Sequence, residues 1–296
     1  MKPFIPSICV AILFTNSSCQ EIIKGPEKVS WRETEEAWSG AAEVSRYTLE
    51  QGKYGEIRKG EAIFIYVREP FLKDQQVKDE SGKGNYEVLK MNSRRSFLTG
   101  VYPYNTMVSV FHPLEENASD RALKLTSSIQ EWCGHTFMQT NRKNGVLKTE
   151  LKSYFQNEDG RIYKEEASVY LEDEIWTAIR INPTGLPTGN ITMVPSSIAI
   201  RFAHRDFISE QATAGWKKSN SKTTILYTLS YQKSGRNVQI EIDRKSPYII
   251  RSWQESYANG LLSKGKLTHQ LTNFPYWNYS SNTNGIPWRD KLGLSK

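Results

Sequence analysis

The sequence predicts a mainly β fold: a large curled antiparallel meander, or partial barrel, with one or two short helices. The first observation is a set of glycine dipeptides between apolar runs, at Asn144-Gly145, Asp159-Gly160, Ser234-Gly235 and Asn259-Gly260. Asn-Gly and Asp-Gly accept the positive φ angles that two-residue hairpin turns need. The second is a composition with 15 tyrosines and 8 tryptophans, which suits strands. So many hairpins imply a sheet that curls around a core or closes on itself.

The strands are identified from apolar runs on either side of polar connectors. The segments "AEVSRYTLEQ" and "GEAIFIYVREPF" flank "GKYGEIRKG" and are predicted to pair as a hairpin. Residues 73–86 form a polar loop, and strand patterns return at "YEVLKM" and "MVSVFH". In the second half, apolar side chains alternate, which places them on one face of each strand. They are Ile225, Tyr227, Leu229 and Tyr231 in one segment and Val238, Ile240 and Ile242 in the next.

Two helices are predicted among these strands. "SWRE" fits a capping box and indicates a short helix from Trp31 to Ser39, with Trp31 and Trp38 on one side. "EDEIWTAIRINP" begins with acids, has Arg180 near its end and stops at Pro183, as the helix dipole favours. The turn-rich "NPTGLPTGN" is predicted to form a rigid connector, and the aromatic C-terminal tail is predicted to pack over the sheet as irregular structure.

The N-terminus has the layout of a secretory signal peptide. Lys2 gives a positive start, residues 8–14 form a short apolar core, and two serines precede Cys19. This ending resembles a bacterial lipobox, in which the cysteine becomes the lipidated first residue, although Asn16 stands where an aliphatic residue is usual. The alternative is ordinary cleavage at the same small residues and a soluble periplasmic protein.

The lipobox interpretation predicts the domain organisation and the compartment. A signal peptide spans 1–18, a lipidated tether spans 19–29, and a single β-rich domain spans 30–296. Acyl chains on Cys19 would hold the domain at a membrane of the bacterial cell envelope, at about 0.8 kcal/mol per buried CH₂. Gln20, which is not an acid, favours the outer membrane by analogy with enterobacterial sorting. Both a periplasmic and a cell-surface location of the domain are consistent with the sequence.

Composition argues against several classes of function. The net charge is +7, but the basic residues are spread among acids and form no dense block, so no nucleic-acid partner is expected. No cofactor motif is found, and His112, His204 and His269 lack the spacing of metal ligands. The acids of "LEDE", residues 171–174, are interpreted as first-turn helix residues rather than as the paired carboxylates of a glycoside hydrolase.

The candidates for chemistry are Glu131, Cys133 and His135, in "SIQEWCGHTF". At a spacing of two in a strand, all three would project from one face. A histidine beside a cysteine can give a nucleophilic thiolate, with Glu131 orienting the imidazole. Neighbours at this spacing have Cβ atoms about 6.5–7 Å apart, which makes a direct Cys–His hydrogen bond awkward. The alternative is a cysteine packed inside the sheet, on the strand that enters the Asn144-Gly145 hairpin.

"SIQEWCGHTF", with "GVYPYNTMVSVF" before it and "SYF", "LEDEIW" and "LPTG" after it, resembles an uncharacterised family of Bacteroidota envelope lipoproteins. The resemblance covers nearly the whole mature chain and implies an envelope lipoprotein, with no activity attached. Such proteins sometimes carry the label septum formation inhibitor Maf. The motifs do not support that label, because Maf pyrophosphatases have an early "SxSPRR" motif in an α/β fold. More remotely, the order of hairpins and helix is similar to lipoprotein carriers, whose half-barrels shelter acyl chains.

Three functions are consistent with these observations. The first is a non-enzymatic envelope lipoprotein whose curled sheet binds a lipid or other apolar ligand on its concave face. The second is an envelope enzyme that uses Cys133 and His135, for example in acyl transfer or thiol chemistry. The third is a structural partner in an outer-membrane complex, with the identity of the protein partner open. The sequence favours the first.

Overall fold

The computed structural model describes residues 23, 25–82, 84, 86–115, 121–256 and 260–294. Within these residues, 16 strands form one large antiparallel sheet that curls without closing, which confirms the predicted mainly β meander. Three predictions lie outside the described part: the signal peptide with Cys19, the side chain of Trp31, and the turn at Asn259.

The element bounds are as follows. The strands are β1 (Glu43–Lys53), β2 (Glu56–Leu72), β3 (Val77–Lys78), β4 (Glu87–Thr99), β5 (Tyr102–Pro113), β6 (Lys124–Glu131), β7 (Gly134–Lys143), β8 (Val146–Ser153), β9 (Ile162–Glu166), β10 (Tyr170–Leu171), β11 (Gly189–Val194), β12 (Glu210–Lys218), β13 (Thr224–Tyr231), β14 (Asn237–Asp243), β15 (Ile250–Ser256) and β16 (Leu262–Leu271). The helices are α1 (Trp31–Ala37), α2 (Ile175–Ile181), α3 (Ser197–Phe202) and α4 (Asn282–Lys291), with 3-10 turns at Glu172–Glu174, Pro183–Gly185 and Tyr276–Tyr279.

The first and last strands in the chain pair with each other at the centre of the sheet. From the β1–β16 pair, the N-terminal half runs outward through β2 and β4 to β9, and the C-terminal half runs outward through β15 to β10. The pairs along this path are antiparallel except β10–β11, and β3 pairs with β2 beside it. Each half is therefore a meander. The two halves are joined at the centre by the β1–β16 backbone hydrogen bonds, and again by side-chain contacts far from the centre.

The outer edges of the sheet are held together by side chains. The carboxylate of Glu165 in β9 accepts hydrogen bonds from the backbone N–H (2.8 Å) and hydroxyl (3.0 Å) of Ser209, just before β12. Asp206 forms an ion pair with Arg161 and accepts a hydrogen bond from the Tyr163 hydroxyl at 3.2 Å. These contacts connect β9, at the outer edge of the N-terminal half, to the segment before β12 in the C-terminal half.

The three glycine dipeptides that lie in described residues do not all form tight turns. Asn144 and Gly145 form the predicted two-residue turn between β7 and β8, with φ angles of 53° and 76°. Asp159-Gly160 and Ser234-Gly235 also separate paired strands, but they lie in longer connections, 154–161 and 232–236. The prediction of tight turns at those two dipeptides was therefore wrong.

The connector predicted at "GKYGEIRKG" is almost entirely strand. Tyr54 and Gly55 both take positive φ angles, 53° and 77°, and reverse the chain between Lys53 and Glu56. Because the turn needs only two residues, the polar residues around it extend β1 and β2. A tyrosine in this conformation is unusual, and the sequence pattern gives no sign of it.

The N-terminal helix begins as predicted. The Ser30 hydroxyl accepts a hydrogen bond from the Glu33 backbone N–H (3.3 Å), and the Glu33 carboxylate accepts one from the Ser30 backbone N–H (2.8 Å). This is the capping box that "SWRE" indicates. The helix ends at Ala37, two residues earlier than expected.

The C-terminal tail packs over the outer face of the sheet, opposite the main core. Phe274 and Leu292 are buried against Val44 in β1 and Ile63 in β2. The tail is not irregular as expected, because it contains a 3-10 turn and α4. The helix α3 was likewise absent from the prediction.

The main core lies inside the curl and is centred on α2. The Trp176 ring in α2 lies 5.4 Å from the Phe64 ring and 5.5 Å from the Trp253 ring, between centroids. Trp253 also contacts Tyr47 at 4.9 Å. These aromatic side chains come from α2, β1, β2 and β15, and all are buried. The concave face of the sheet is therefore covered by the chain's own helix.

Three consecutive acids fix the start of α2 in this interior. The Glu172 carboxylate accepts hydrogen bonds from Arg236 Nε (2.9 Å) and Nη2 (2.6 Å), and Glu174 accepts one from Arg142 Nη2 at 3.0 Å. Asp173 accepts one from the first backbone N–H of α3 at 2.8 Å. The prediction that these acids begin the helix is confirmed, but their burial was not expected. They lie in a 3-10 turn before α2 and are buried, each with its own partner.

The far end of α2 is held by a second buried ion pair. Arg180 Nη1 and Nη2 donate to the two carboxylate oxygens of Glu43 in β1, at 2.6 and 2.7 Å. Arg180 Nε donates to the Pro247 carbonyl oxygen at 2.9 Å. Burial alone raises the pKa of Glu43, but the charge and hydrogen bonds of Arg180 outweigh it and hold the pKa below its ordinary value.

None of the helices in the described part of the chain is both long and apolar enough to cross a membrane.

Substitution Glu43→Gln is expected to lower the free energy of unfolding by about 3 kcal/mol, because it leaves the buried Arg180 without a counter-charge. Urea denaturation followed by circular dichroism measures this. The control is Glu36→Gln, which breaks the exposed Arg32–Glu36 pair (3.4 Å) and is expected to cost less than about 0.5 kcal/mol. Equal losses in the two variants would contradict the assigned role of the Arg180–Glu43 pair.

A second prediction concerns His112 in β5, which is buried and lies 3.1 Å from the Thr177 hydroxyl in α2, measured from Nδ1. Burial, with the nearby positive charges of Arg142 and Arg121, lowers the pKa of His112 to about 3. Between the unfolded value of 6.5 and about 3, only the unfolded chain binds this proton. Stability is therefore lost as the pH falls through this window, by up to about 1.4 kcal/mol per pH unit.

Substitution His112→Gln is expected to remove that contribution, so its unfolding free energy should fall less steeply than that of the wild type between pH 6.5 and 4. Urea titrations at a series of pH values measure both slopes. Burial raises the pKa of Asp173 to about 6, which gives an opposite slope between that value and 3.8. Asp173 is common to both proteins, so the difference between them isolates His112. Parallel slopes would contradict the prediction.

Candidate functional site

The predicted residues Glu131, Cys133 and His135 lie around a tight hairpin and not along one strand. Glu131 ends β6 and pairs with Gly134, the first residue of β7, so Trp132 and Cys133 form a two-residue turn. The expectation that the three alternate on one strand face was wrong. Trp-Cys carries no turn signal, and the pairing of β6 with β5 and of β7 with β8 positions the reversal.

Cys133 is exposed, so it is not the packed core cysteine of the alternative interpretation. Its backbone N–H donates to Glu131 Oε2 at 2.7 Å. Hydrogen bonding to Glu131 and the negative charge of that carboxylate raise the pKa of the Cys133 thiol above its ordinary value. A nucleophilic cysteine needs the opposite shift, towards the thiolate. His135, in β7, is also exposed.

The three residues nevertheless line one cavity, here called the rim pocket, of about 140 Å³. Its other walls come from the β1–β2 turn, the start of β5, the β8–β9 connection and the end of α3. The residues beyond the hairpin that matter most are Lys53, Tyr54, Tyr104, Phe155, Arg201, Phe202 and His204. His204 also lines two further cavities, of about 310 and 380 Å³, which therefore adjoin the rim pocket.

Aromatic rings surround the Lys53 ammonium in the rim pocket. Lys53 Nζ lies 4.4 Å from the centroid of Phe202, 4.5 Å from that of Tyr54 and 5.6 Å from that of Tyr104. The hydroxyl groups of Tyr54 and Tyr104 are hydrogen-bonded at 3.0 Å. Lys53 is the last residue of β1 and is followed at once by the turn, which bends the Tyr54 ring back over it. The cation–π contacts stabilise a lysine that is 5% exposed.

The surroundings of Lys53 nonetheless disfavour its charged form. Burial lowers the pKa of Lys53 to about 8, Glu131 opposes this shift, and the positive charge of Arg201 adds to it. Lys53 Nζ donates one long hydrogen bond, 3.5 Å, to the Phe202 carbonyl oxygen. A lysine shifted in this way in an open cavity is typical of a functional site.

The second cation of the rim pocket, Arg201, is in the last turn of α3 and is 4% exposed. Its Nη2 donates to Glu158 Oε2, while Glu158 Oε1 lies 2.8 Å from His204 Nδ1. Ser153 Oγ donates to the same carboxylate at 3.0 Å. Arg201 Nε and Nη1 are buried and have no hydrogen-bond acceptor among the described residues. The Glu158 carboxylate therefore satisfies only some of the hydrogen-bond donors of the Arg201 guanidinium.

Sequence reasoning missed Lys53, Tyr54 and Arg201. The "GKYGE" segment was assigned to a connector, and near Arg201 only His204 was considered, as a histidine without the spacing of a metal ligand. The site depends on three turns and a short helix that come together only when the sheet curls. Among the described residues, no group of three or more histidine, cysteine or acidic side chains could hold a metal ion.

Comparison of the chain with models of known protein families finds no match, and comparison with curated proteins finds none at a significant level. The resemblance to Bacteroidota envelope lipoproteins therefore stays a prediction.

Alkylation of Cys133 by iodoacetamide is expected to go to completion in the native protein, because the thiol is exposed. It should be slower than that of an unperturbed thiol at the same pH, because Glu131 disfavours the thiolate. Substitution Glu131→Gln should speed the reaction several-fold, and Glu150→Gln, on an exposed strand position elsewhere, should leave it unchanged. Mass spectrometry of the peptide that contains Cys133 gives the rates. A faster reaction than that of the unperturbed thiol would contradict this prediction and support Cys133 as a nucleophilic thiolate.

Proposed function

We propose that the protein is a non-enzymatic lipoprotein of the bacterial cell envelope that binds a small apolar ligand in the rim pocket. The observation that carries the proposal is the aromatic lining of this pocket by Tyr54, Tyr104, Phe155 and Phe202, next to a buried lysine. Ligand sites of this kind combine apolar walls with a few polar groups that orient the ligand.

The interior of the sheet is a poorer place for a ligand than the sequence led us to expect. Trp176 and its aromatic neighbours fill the concave face. The cavity beside α2, lined by His112 and Ile175, measures about 30 Å³. That is room for about one or two water molecules. An apolar ligand there would have to displace α2 and break its buried ion pairs, whereas the rim pocket is already open.

The enzymatic alternative has less support from the geometry. It requires Cys133 as a thiolate with His135 as its base. Glu131 raises the pKa of the thiol, and both candidate residues are exposed at the tip of a hairpin. Catalytic cysteines are found in electropositive, partly enclosed surroundings. We therefore assign Cys133 and His135 to the wall of a binding pocket.

The position of the predicted tether supports a pocket that faces away from the anchoring membrane. The Glu27 backbone N–H donates to the Arg244 carbonyl oxygen (2.9 Å), and the Tyr248 hydroxyl donates to the Glu27 carbonyl oxygen (2.6 Å). The tether is thus fixed to the β14–β15 connection. Glu27 is eight positions after Cys19 (27 − 19 = 8), so lipid on Cys19 would keep this end of the sheet within about 29 Å of its attachment point.

The rim pocket lies at the other end of the strands. β1 begins at the level of the last residues of β16 and runs for 11 residues to Lys53, at the rim pocket. β15, which follows the tether contact, begins on the same side as the start of β1. The strand length places the rim about 35 Å from the tethered end. A ligand would therefore enter from the aqueous compartment and not from the anchoring bilayer.

The binding proposal is tested with 1-octanol, titrated into the full mature protein and followed by isothermal calorimetry. A single saturable site is expected. Substitution Tyr54→Asn should weaken binding by about tenfold, since it removes one aromatic wall. Asparagine tolerates the positive φ angle at this position, so the turn should persist.

The matched control is Trp277→Ala, which removes a half-exposed aromatic ring from the C-terminal tail, away from the rim pocket. Its octanol affinity should equal that of the wild type. Absence of saturable octanol binding to the wild type would overturn the proposal. Equal weakening in the two variants would show that octanol binds elsewhere.

A further inference from the structure

The rim pocket contains buried hydrogen-bond donors that the fold itself does not use. Arg201 is held in α3 with one nitrogen on Glu158, and its Nε and Nη1 are buried without an acceptor in the described part of the chain. A buried donor without a partner is costly, and a charged one more so. Such groups in a folded protein indicate a missing partner, and Arg201 lines an open pocket.

A second cation faces the same space. Lys53 has three donors, and its one hydrogen bond to protein that the structure shows is a long one, to the Phe202 carbonyl oxygen. Burial is the main cause of the lowered pKa of Lys53, and the positive charge of Arg201 adds to it, so the two cations repel each other. A negative group between them would relieve this repulsion and accept hydrogen bonds from both side chains.

The acid that lines the rim pocket, Glu131, and the acid beside it, Glu158, leave this position open. The Glu158 carboxylate is occupied by Arg201 Nη2, His204 and Ser153. Glu131 accepts a hydrogen bond from the Cys133 backbone N–H at the tip of its hairpin, and it attracts Lys53. Both acids offset the local positive charge, but neither provides an acceptor for Arg201 Nε or Nη1. That acceptor has to come from outside the described protein.

We infer that the rim pocket recognises a free amphiphile with an oxyanion head group, which accepts hydrogen bonds from Arg201 and Lys53 while its apolar body lies against Tyr54 and Tyr104. The inference rests on the proposed function of the same pocket and names the class of its ligand. A head group on a free molecule fits better than one in a bilayer, because the pocket lies at the end of the sheet opposite the tether. Carboxylates and phosphate monoesters share the required chemistry.

The experiment compares octanoate with 1-octanol, two probes with the same chain length and different head groups. Octanoate is expected to bind the wild type at least about tenfold more tightly, the effect of one hydrogen-bonded charge pair. Substitution Arg201→Lys keeps the charge and removes the guanidinium donors, and Lys53→Met removes the ammonium. Each should reduce the preference for octanoate, measured as the ratio of the octanoate and octanol affinities of the same variant, to about threefold or less.

Octanol binding also reports whether each variant retains a folded pocket, so a loss of the octanoate preference cannot be mistaken for unfolding. Lys233→Met is the control for general electrostatics, because Lys233 is an exposed cation that lines the adjoining 310 Å³ cavity. It should keep the full preference for octanoate.

The outcomes separate the two proposals. If neither probe binds, the proposed function fails. If both bind the wild type equally, the pocket binds apolar ligands but Arg201 is satisfied by water, and the oxyanion inference is overturned. If the protein cosediments with phosphatidylglycerol vesicles but not with phosphatidylcholine vesicles, and Arg201→Lys abolishes this, the oxyanion belongs to a lipid head group and the assignment to a free amphiphile is overturned.

Discussion

The fold depends on buried arginine–carboxylate contacts that hold α2 inside the curled sheet. An open antiparallel sheet of this length has an apolar concave face that must be covered. Here the cover is a seven-residue helix, too short to be stable by itself. Glu172 and Glu174 attach its beginning to both halves of the sheet, through Arg236 in the β13–β14 connection and Arg142 in β7, and Arg180 attaches its end to β1. With these contacts in place, Trp176 fills the centre of the core.

The same arrangement determines where a ligand site can exist. Because α2 occupies the middle of the curl, open space is left at the ends of the strands. α3 follows α2 and β11, and its first backbone N–H is held by Asp173. Its last turn brings Arg201 and Phe202 to the hairpin tips of β1–β2 and β6–β7. The acids that fix the central helix therefore also position one wall of the rim pocket.

Sequence reasoning predicted the fold class, the alternating strands and the Asn144-Gly145 turn, because these depend on local patterns. It failed where tertiary pairing overrides local preference. Trp132 and Cys133 turn the chain with no turn-forming residue, because the neighbouring strands already determine where β6 and β7 end. The acids of "LEDE" were assigned to a helix start because the helix dipole favours acids there. The burial of α2, which the sequence does not reveal, gives Glu172 and Glu174 arginine partners. Lys53 and Arg201 are 148 residues apart (201 − 53 = 148), and no local signal connects them.

The buried arginines of the main core and of the rim pocket differ in how completely they are hydrogen-bonded, and this difference is the strongest indication of function. Arg142, Arg180 and Arg236 are buried, and each donates hydrogen bonds to a carboxylate and to backbone carbonyl oxygens. Arg201 is equally buried but leaves Nε and Nη1 without an acceptor. A group that only stabilised the fold would gain from full pairing, since an unpaired buried donor is destabilising. In a binding pocket, the same donors strengthen the complex, because the ligand meets them already desolvated and fixed in position.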